Sequence, residues 1–264
     1  PHADPNLNYK SEKTTGYGTA GISKANIYHS ASNRTNNLRC NPNDGITVEF
    51  WLKKQQFAGN DTKEAIFDLW NSGSTSTALQ NDDDYGRITI ITDAATPNKI
   101  GFIMASGTFY FGDPNQSGFM DTGLPTIADG EWHHYAFVNQ NTGSQNITYL
   151  YVDGSRRAMQ STGSTASRPL PKEISGPMVA TVGANVVDSL VVGIATNDEL
   201  HTLAGTEGSL GSGKLTGSVD EFRYWKTARS AKDIGRNWNG NVHGGTNTDD
   251  SNTSLGVYYK FNEG

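Results

Sequence analysis

The chain has 264 residues, 34% of them hydrophobic and only 18% charged, with 30 glycines and a formal net charge of −6. Its polarity therefore rests on uncharged Asn, Ser, Thr and Gly, which favour turns and β surfaces over helices, and an all-α fold is excluded. An acidic balance offers no basic footprint for DNA or RNA, no apolar run reaches the ~18 residues of a membrane span, and the single Cys40 excludes an internal disulfide framework or a cysteine-based zinc site.

The opening Pro1-His2-Ala3-Asp4 has neither an initiator Met nor a signal peptide, as expected of a fragment or a processed product. Residues 1–44 are polar, with short apolar hints at Gly21-Ile22 and Ala25-Asn26-Ile27-Tyr28, and are expected to add a first edge strand. After the turn-rich Asn41-Pro42-Asn43-Asp44-Gly45, the stretch Ile46-Thr47-Val48-Glu49-Phe50-Trp51-Leu52 alternates with period 2 and predicts a strand. Further strands are predicted over 65–70, 86–92, 99–104, 108–111, 132–139 and 147–152, the last closed by the strong turn signal Asp153-Gly154. Residues 155–176, with Pro169, Pro171 and much Ser and Gly, read as a long irregular crossing. Strands at 179–182, 190–194, 214–225 and 255–261 complete the pattern, with one helical turn at 230–234 capped by Ser230 with Asp233 three positions on. Many strands, long loops and one short helix predict an all-β fold of two packed antiparallel sheets. No internal repeat or linker divides the chain, so 1–44 and 45–264 are expected to form one domain.

Four stretches carry a resemblance. They are the opening strand just given with Lys53; Asp129-Gly130-Glu131-Trp132-His133-His134-Tyr135-Ala136-Phe137-Val138; Leu150-Tyr151-Val152-Asp153-Gly154; and Gly217-Ser218-Val219-Asp220-Glu221-Phe222-Arg223-Tyr224-Trp225, continuing through Ser230. In this order and spacing the chain resembles the concanavalin A-like jelly-roll domains of the laminin-G-like (LamG, pentraxin-like) type. The resemblance implies a concanavalin A-like jelly-roll sandwich, and a recognition or structural role more often than catalysis. It also implies that Trp132 is core and that His133 and His134 satisfy local polar groups. In many relatives an acid at the position of Asp220 helps to hold a structural Ca²⁺ against the N-terminal strand.

The enzymatic relatives are laminarinase-like glucanases, whose retaining chemistry needs two carboxylates about 5–5.5 Å apart. No E-x-D-x-E or E-x-D-x-x-E run is present, and Asp220 and Glu221 as strand neighbours are expected to face opposite ways. Glycosidase activity is therefore not expected. Neither is a zinc site at Asp129, Glu131, His133 and His134, since adjacent strand histidines diverge. No nucleophile elbow or phosphate-cradling loop occurs. Calcium is the one cofactor expected, at Asp220 or at Asp82, Asp83 and Asp84, because hard oxygen ligands suit a loop-rich β protein. Asp220 paired with Arg223 or with a backbone N–H is the plain alternative.

Carbohydrate recognition needs an aromatic face and amide or carboxylate groups beside it. Trp70, Tyr85, Tyr110, Phe119 and Trp238 are the loop or strand-end aromatics, with Asn71, Asn115, Gln116 and Asn239 alongside. The expected ligand set is Trp70, Asn71, Tyr85, Tyr110, Asn115 and Trp238, while Phe50, Trp51, Phe137, Phe222 and Tyr224 are expected to fill the core. Glycosylation sequons start at Asn33, Asn60, Asn115, Asn146 and Asn252. The expected role is a non-enzymatic glycan-binding or adhesion module of a larger extracellular, cell-surface or virion-surface protein. The alternatives are a structural virion domain, such as a phage decoration, fibre or appendage, contacting other protein subunits, and, less favoured, a polysaccharide-degrading enzyme. Neither nucleic acid nor membrane insertion is expected.

Overall fold

Alternation in sequence becomes alternation in burial. In a computed structural model, which describes residues 37–59, 63–71, 86–106, 109–112, 118–165, 169–174, 178–184, 213–242 and 254–261 and leaves out the side chains of Trp70, Asn71, Tyr110 and Val179, β1 (Ile46–Lys53) turns Ile46, Val48, Phe50 and Leu52 into the core. Its remaining residues, Thr47, Glu49, Trp51 and Lys53, take the opposite face, as a period of two requires.

The other elements are β2 (Lys63–Asn71), β3 (Gly86–Asp93), β4 (Lys99–Ser106), β5 (Phe109–Phe111), β6 (Phe119–Asp121), β7 (Trp132–Thr142), β8 (Gln145–Val152), β9 (Ser155–Gly163), β10 (Met178–Val182), β11 (Ser218–Trp225), α1 (Ala231–Asn237) and β12 (Leu255–Tyr259). They form two antiparallel sheets. One runs β12-β11-β1-β7-β8-β9, and the other runs β10-β2-β3-β4-β5 with β6 also paired to β4. Between them lies one continuous apolar core, in which Phe102 stacks on Phe137 at 5.7 Å and Phe67 on Phe222 at 5.1 Å. Each such side chain taken out of water contributes about 1.5–3 kcal/mol, so the two facing rows decide the register of both sheets. The first sheet carries a second, smaller cluster on its outer face, where Ala136, Val138 and Tyr151 pack against Ile234 of α1. Ser230 caps that helix by accepting the N–H of Asp233, as the spacing predicts.

Three expectations change. Residues 155–163 are not an irregular crossing but β9, the hairpin partner of β8. Its side chains alternate between exposed and half-buried positions, so no apolar period marks it in the sequence. The two-residue turn before it, with positive φ at both Asp153 and Gly154, is what fixes the hairpin. Phe119, expected near a loop surface, is buried in β6. Trp51 lies outside the sandwich core, on the outer face beneath α1, against Trp238 at 5.5 Å. The strands expected at 21–28 and 190–194 fall outside the described residues.

Candidate functional site

Sheet 1 is unusual in burying charge on its outer face. Glu49 and His134 are cross-strand diagonal neighbours there, and Arg223 sits opposite Glu49 on β11. Arg229, in the approach to α1, donates to Glu49 Oε1 at 2.5 Å while its guanidinium lies 4.4 Å from the centre of the Trp225 ring. Arg223 bonds Glu221 at 2.8 Å and the carbonyl of Gly240 at 2.6 Å, and Tyr258 donates to the same Glu221 carboxylate. Burial alone would raise the Glu49 pKa, but His134 and Arg229 outweigh it and hold the carboxyl below its usual range. Trp51, His134 and Trp238 stack over this network. The arrangement ties the α1 segment to the sheet.

The same face opens at its other end. Trp132, the first residue of β7, is 40% exposed, whereas the resemblance implied a core position. It shares its face with His134 two residues on and lies opposite Lys53, which in turn lies opposite Ser218. Next to this row, Lys53, Gln55, Gln56, Thr216, Gly217 and Ser218 line a polar cleft of about 400 Å³. The cleft walls are fixed from beneath. Lys54 and Glu64, both fully buried, pair at 2.6 Å; Lys54 also donates to the carbonyl of Thr216, and Glu64 accepts the backbone N–H groups of Ala58 and Thr216. One ion pair thus fastens the 55–59 loop to the segment that leads into β11. A flat indole beside amide, hydroxyl and ammonium donors is the combination that stacks on a sugar ring and bonds its hydroxyls.

On the loop before Trp132, the Asp129 carboxylate accepts the N–H of Glu131 through Oδ1 and meets His133 Nε2 at 3.0 Å through Oδ2. The other ring nitrogen, Nδ1, lies 2.7 Å from Asp153 Oδ2, and Asp153 Oδ1 accepts the N–H of His134. Desolvation lowers the histidine's proton affinity, but the two carboxylates more than reverse this and leave its pKa raised. The two histidines do diverge, but only His133 satisfies local polar groups; His134 Nε2 stands 3.7 Å from Glu49 Oε2 and its buried Nδ1 has no partner among the described residues. Among the described residues, no three metal-ligating side chains converge.

The sequence-predicted ligand residues are not brought together where they are described. Trp238 packs on Trp51 and His134 over the first sheet, while Trp70 and Asn71 stand on β2 of the second and Tyr110 on β5, separated from β2 by β3 and β4. Tyr85, Asn115, Asp82, Asp83 and Asp84 lie outside the described residues. Asp220 accepts the N–H of Glu221 at 2.8 Å through Oδ1. Glu221 departs from strand geometry: its φ is +50° at a register shift opposite Phe50, so the expectation of two regular, oppositely facing neighbours does not hold there. Its carboxylate is in any case held by Arg223 and Tyr258. The Asn146 sequon is sealed: Asn146 is fully buried and exchanges amide bonds with Asn139.

Elsewhere, Leu38, Phe67, Met178, Ala180, Val182, Phe222, Val257, Tyr259 and Phe261 line an apolar cleft of about 400 Å³ between β10 and β12. Tyr259 and Phe261 are about half exposed and lie 5.9 Å apart.

No curated protein sequence matches the chain. Among solved structures, a native heptameric SAP-like pentraxin from Limulus polyphemus is similar, at 13% identity and a TM-score of 0.41 over 75% of this chain and 70% of that one. The CBM40 of the Ruminococcus gnavus IT-sialidase is similar at 11% identity and a TM-score of 0.42, over 76% and 85% respectively. The NanB sialidase of Streptococcus pneumoniae is similar at 17% identity and a TM-score of 0.44, over 76% of this chain but 26% of that one. A Laminin_G_3 family model matches residues 24–188, more than half of the chain, and with the two-sheet architecture above it establishes that this chain belongs to the concanavalin A-like lectin/glucanases superfamily.

Proposed function

We propose that the chain is a non-catalytic recognition module that binds a carbohydrate at the cleft lined by Lys53, Gln55, Gln56, Thr216 and Ser218, with Trp132 across Lys53 from it, as part of a larger extracellular or surface polypeptide. The carrying observation is the exposed Trp132 beside a cleft of neutral donors and one lysine. An aromatic ring that folding leaves uncovered costs stability, and its position beside hydrogen-bonding groups suits a pyranose ring: apolar C–H face on the indole, hydroxyls on Gln55, Gln56 and Ser218. The superfamily name joins lectins with glucanases, and carbohydrate is common to both. The binding branch draws support from how the described carboxylates are used. Glu49, Glu64, Asp68, Asp129, Asp153 and Glu221 each hold a cationic or histidine partner, which suits structure better than proton transfer.

The test is a glycan array with the intact chain, with and without EDTA, followed by calorimetry on any retained sugar. Trp132→Ala and Gln55→Ala are each expected to weaken binding roughly tenfold or more, while EDTA reports whether calcium takes part. An array that retains no glycan, or hydrolysis of a polysaccharide by the purified chain, overturns this reading.

A second reading, a structural domain in contact with other protein subunits such as those of a virion, is favoured by the half-exposed Tyr259 and Phe261 at the apolar cleft. It predicts concentration-dependent association in solution that Tyr259→Ser with Phe261→Ser abolishes; a monomer at all concentrations counts against self-association.

A further inference from the structure

We propose that the Asp129–His133–Asp153 bridge is a proton-operated latch on the Trp132 cleft. The inference rests on the carbohydrate-binding reading for its consequence, but not for its physics. The His133 ring stands between two carboxylate oxygens, one at each nitrogen, at 2.7 and 3.0 Å. Both contacts are hydrogen bonds only when both nitrogens carry protons, since a neutral imidazole has one N–H and presents a lone pair to the other carboxylate. The imidazolium therefore joins two segments, the Asp129–Glu131 loop and the β8–β9 turn.

Trp132 sits inside that closed ring of bonds. Asp129 also holds the N–H of Glu131, Asp153 also holds the N–H of His134, and the N–H of Gly130 reaches back to the carbonyl of Lys54 beside the cleft. When the proton leaves to solvent, one of the two carboxylate contacts loses its hydrogen bond and turns repulsive, which breaks the bridge between the Asp129–Glu131 loop and the β8–β9 turn and leaves the loop held by the Gly130 bond to Lys54. The other charged groups nearby do not replace it. On β1, Leu52 faces His133 and is followed by Lys53 and Lys54, whose ammonium is committed to Glu64. Beyond the turn, Arg156 lies over the Tyr149 ring and Arg157 against Gly123. On its own segment, Glu131 is exposed and the Tyr135 phenol is buried, its ionisation pushed up by desolvation and by the two aspartates, so it stays neutral.

The sign is set by the raised proton affinity. The latch is complete below the ordinary histidine value of about 6.5 and is lost as pH rises through the higher folded value. The test is NMR on the intact chain. The His133 ring is expected to titrate above about 6.5, and Asp129→Asn and Asp153→Asn are each expected to bring it down. The Trp132 indole N–H, assigned with Trp132→Phe, is expected to shift with the same midpoint and to become flat in His133→Gln. Any glycan held at the cleft is expected to bind several-fold more weakly at pH 8 than at pH 6, and with no such dependence in His133→Gln. A His133 midpoint at or below 6.5, or a Trp132 resonance that ignores it, overturns the latch. Neither NMR reading requires a ligand, so a silent glycan array overturns the binding function while leaving the latch intact.

Discussion

Gly154 lies directly beneath the indole of Trp238: a Cβ placed there falls 2.4 Å from Cδ1 and 2.7 Å from Nε1. The glycine also has φ +74°, a conformation that side chains resist. Gly154→Ala should therefore cost about 1–3 kcal/mol through overpacking added to strain. Gly143 has φ +60° but open space around its missing Cβ, and Gly143→Ala should cost only about 1 kcal/mol. Urea denaturation of the two variants separates the contributions; equal losses would mean that Trp238 does not bear on the turn.

Trp238 and Trp132 should behave as opposites. Trp238→Ala removes the cover over Trp51 and His134 and should cost about 3 kcal/mol of stability, with binding at the Trp132 cleft unchanged at temperatures where it is folded. Trp132→Ala should leave the thermal midpoint nearly unchanged. Calorimetric unfolding and titration of both variants check the contrast.

The Lys54–Glu64 pair is buried on both sides. Lys54→Met alone strands a carboxylate in the interior and should cost about 3–5 kcal/mol. The double variant with Glu64→Leu should recover much of that loss, because neither partner is left to desolvate unpaired, yet it also removes the ties to Ala58 and Thr216. Chemical denaturation should therefore show a stable double variant, and hydrogen exchange should show a looser cleft wall.

Glu49 gives stability an acid limit. With its folded pKa held down by His134 and Arg229 against the opposing effect of burial, its contribution is present above the unfolded value near 4.3–4.5 and is lost as pH falls through the lower folded value. In Glu49→Gln that part of the acid slope should disappear while overall stability at neutral pH drops. Denaturation curves between pH 2 and 6 provide the comparison.

Expression in a glycosylating secretory host should leave Asn146 unmodified, since its side chain is enclosed with Asn139 and Asn141. Peptide mass spectrometry checks this; a glycan on Asn146 would show that the sheet end opens before it folds.

How much of this could be read in the chain depends on how each residue is buried. Where one face is apolar, as at Ile46, Val48, Phe50 and Leu52, the period states the strand and its orientation. The helix announces itself through Ser230 and Asp233, because capping is a local bond. β9 has no apolar face to betray it. The bulge at Glu221 is equally silent, since a single left-handed residue leaves no periodic mark and glycine, its usual occupant, is absent. The motif around Trp132 resembles one in which a tryptophan is buried and so implies a core position; its place as the first residue of β7, at the strand's open end, is a property of the assembled sheet. The one local signal that pointed toward it was the surrounding Asp129-Gly130-Glu131 turn.

Cys40 forms an isolated bridge with Ile174, fully enclosed, and burial drives its thiol ionisation far above the usual range. The reactive species of a cysteine is the thiolate, so enclosure and a raised proton affinity should both protect this sulfur from alkylation while the seam is closed. As the sole thiol in 264 residues, it acts as a built-in clock: the pace at which a maleimide labels it counts how often the seam between residues 40 and 174 comes apart.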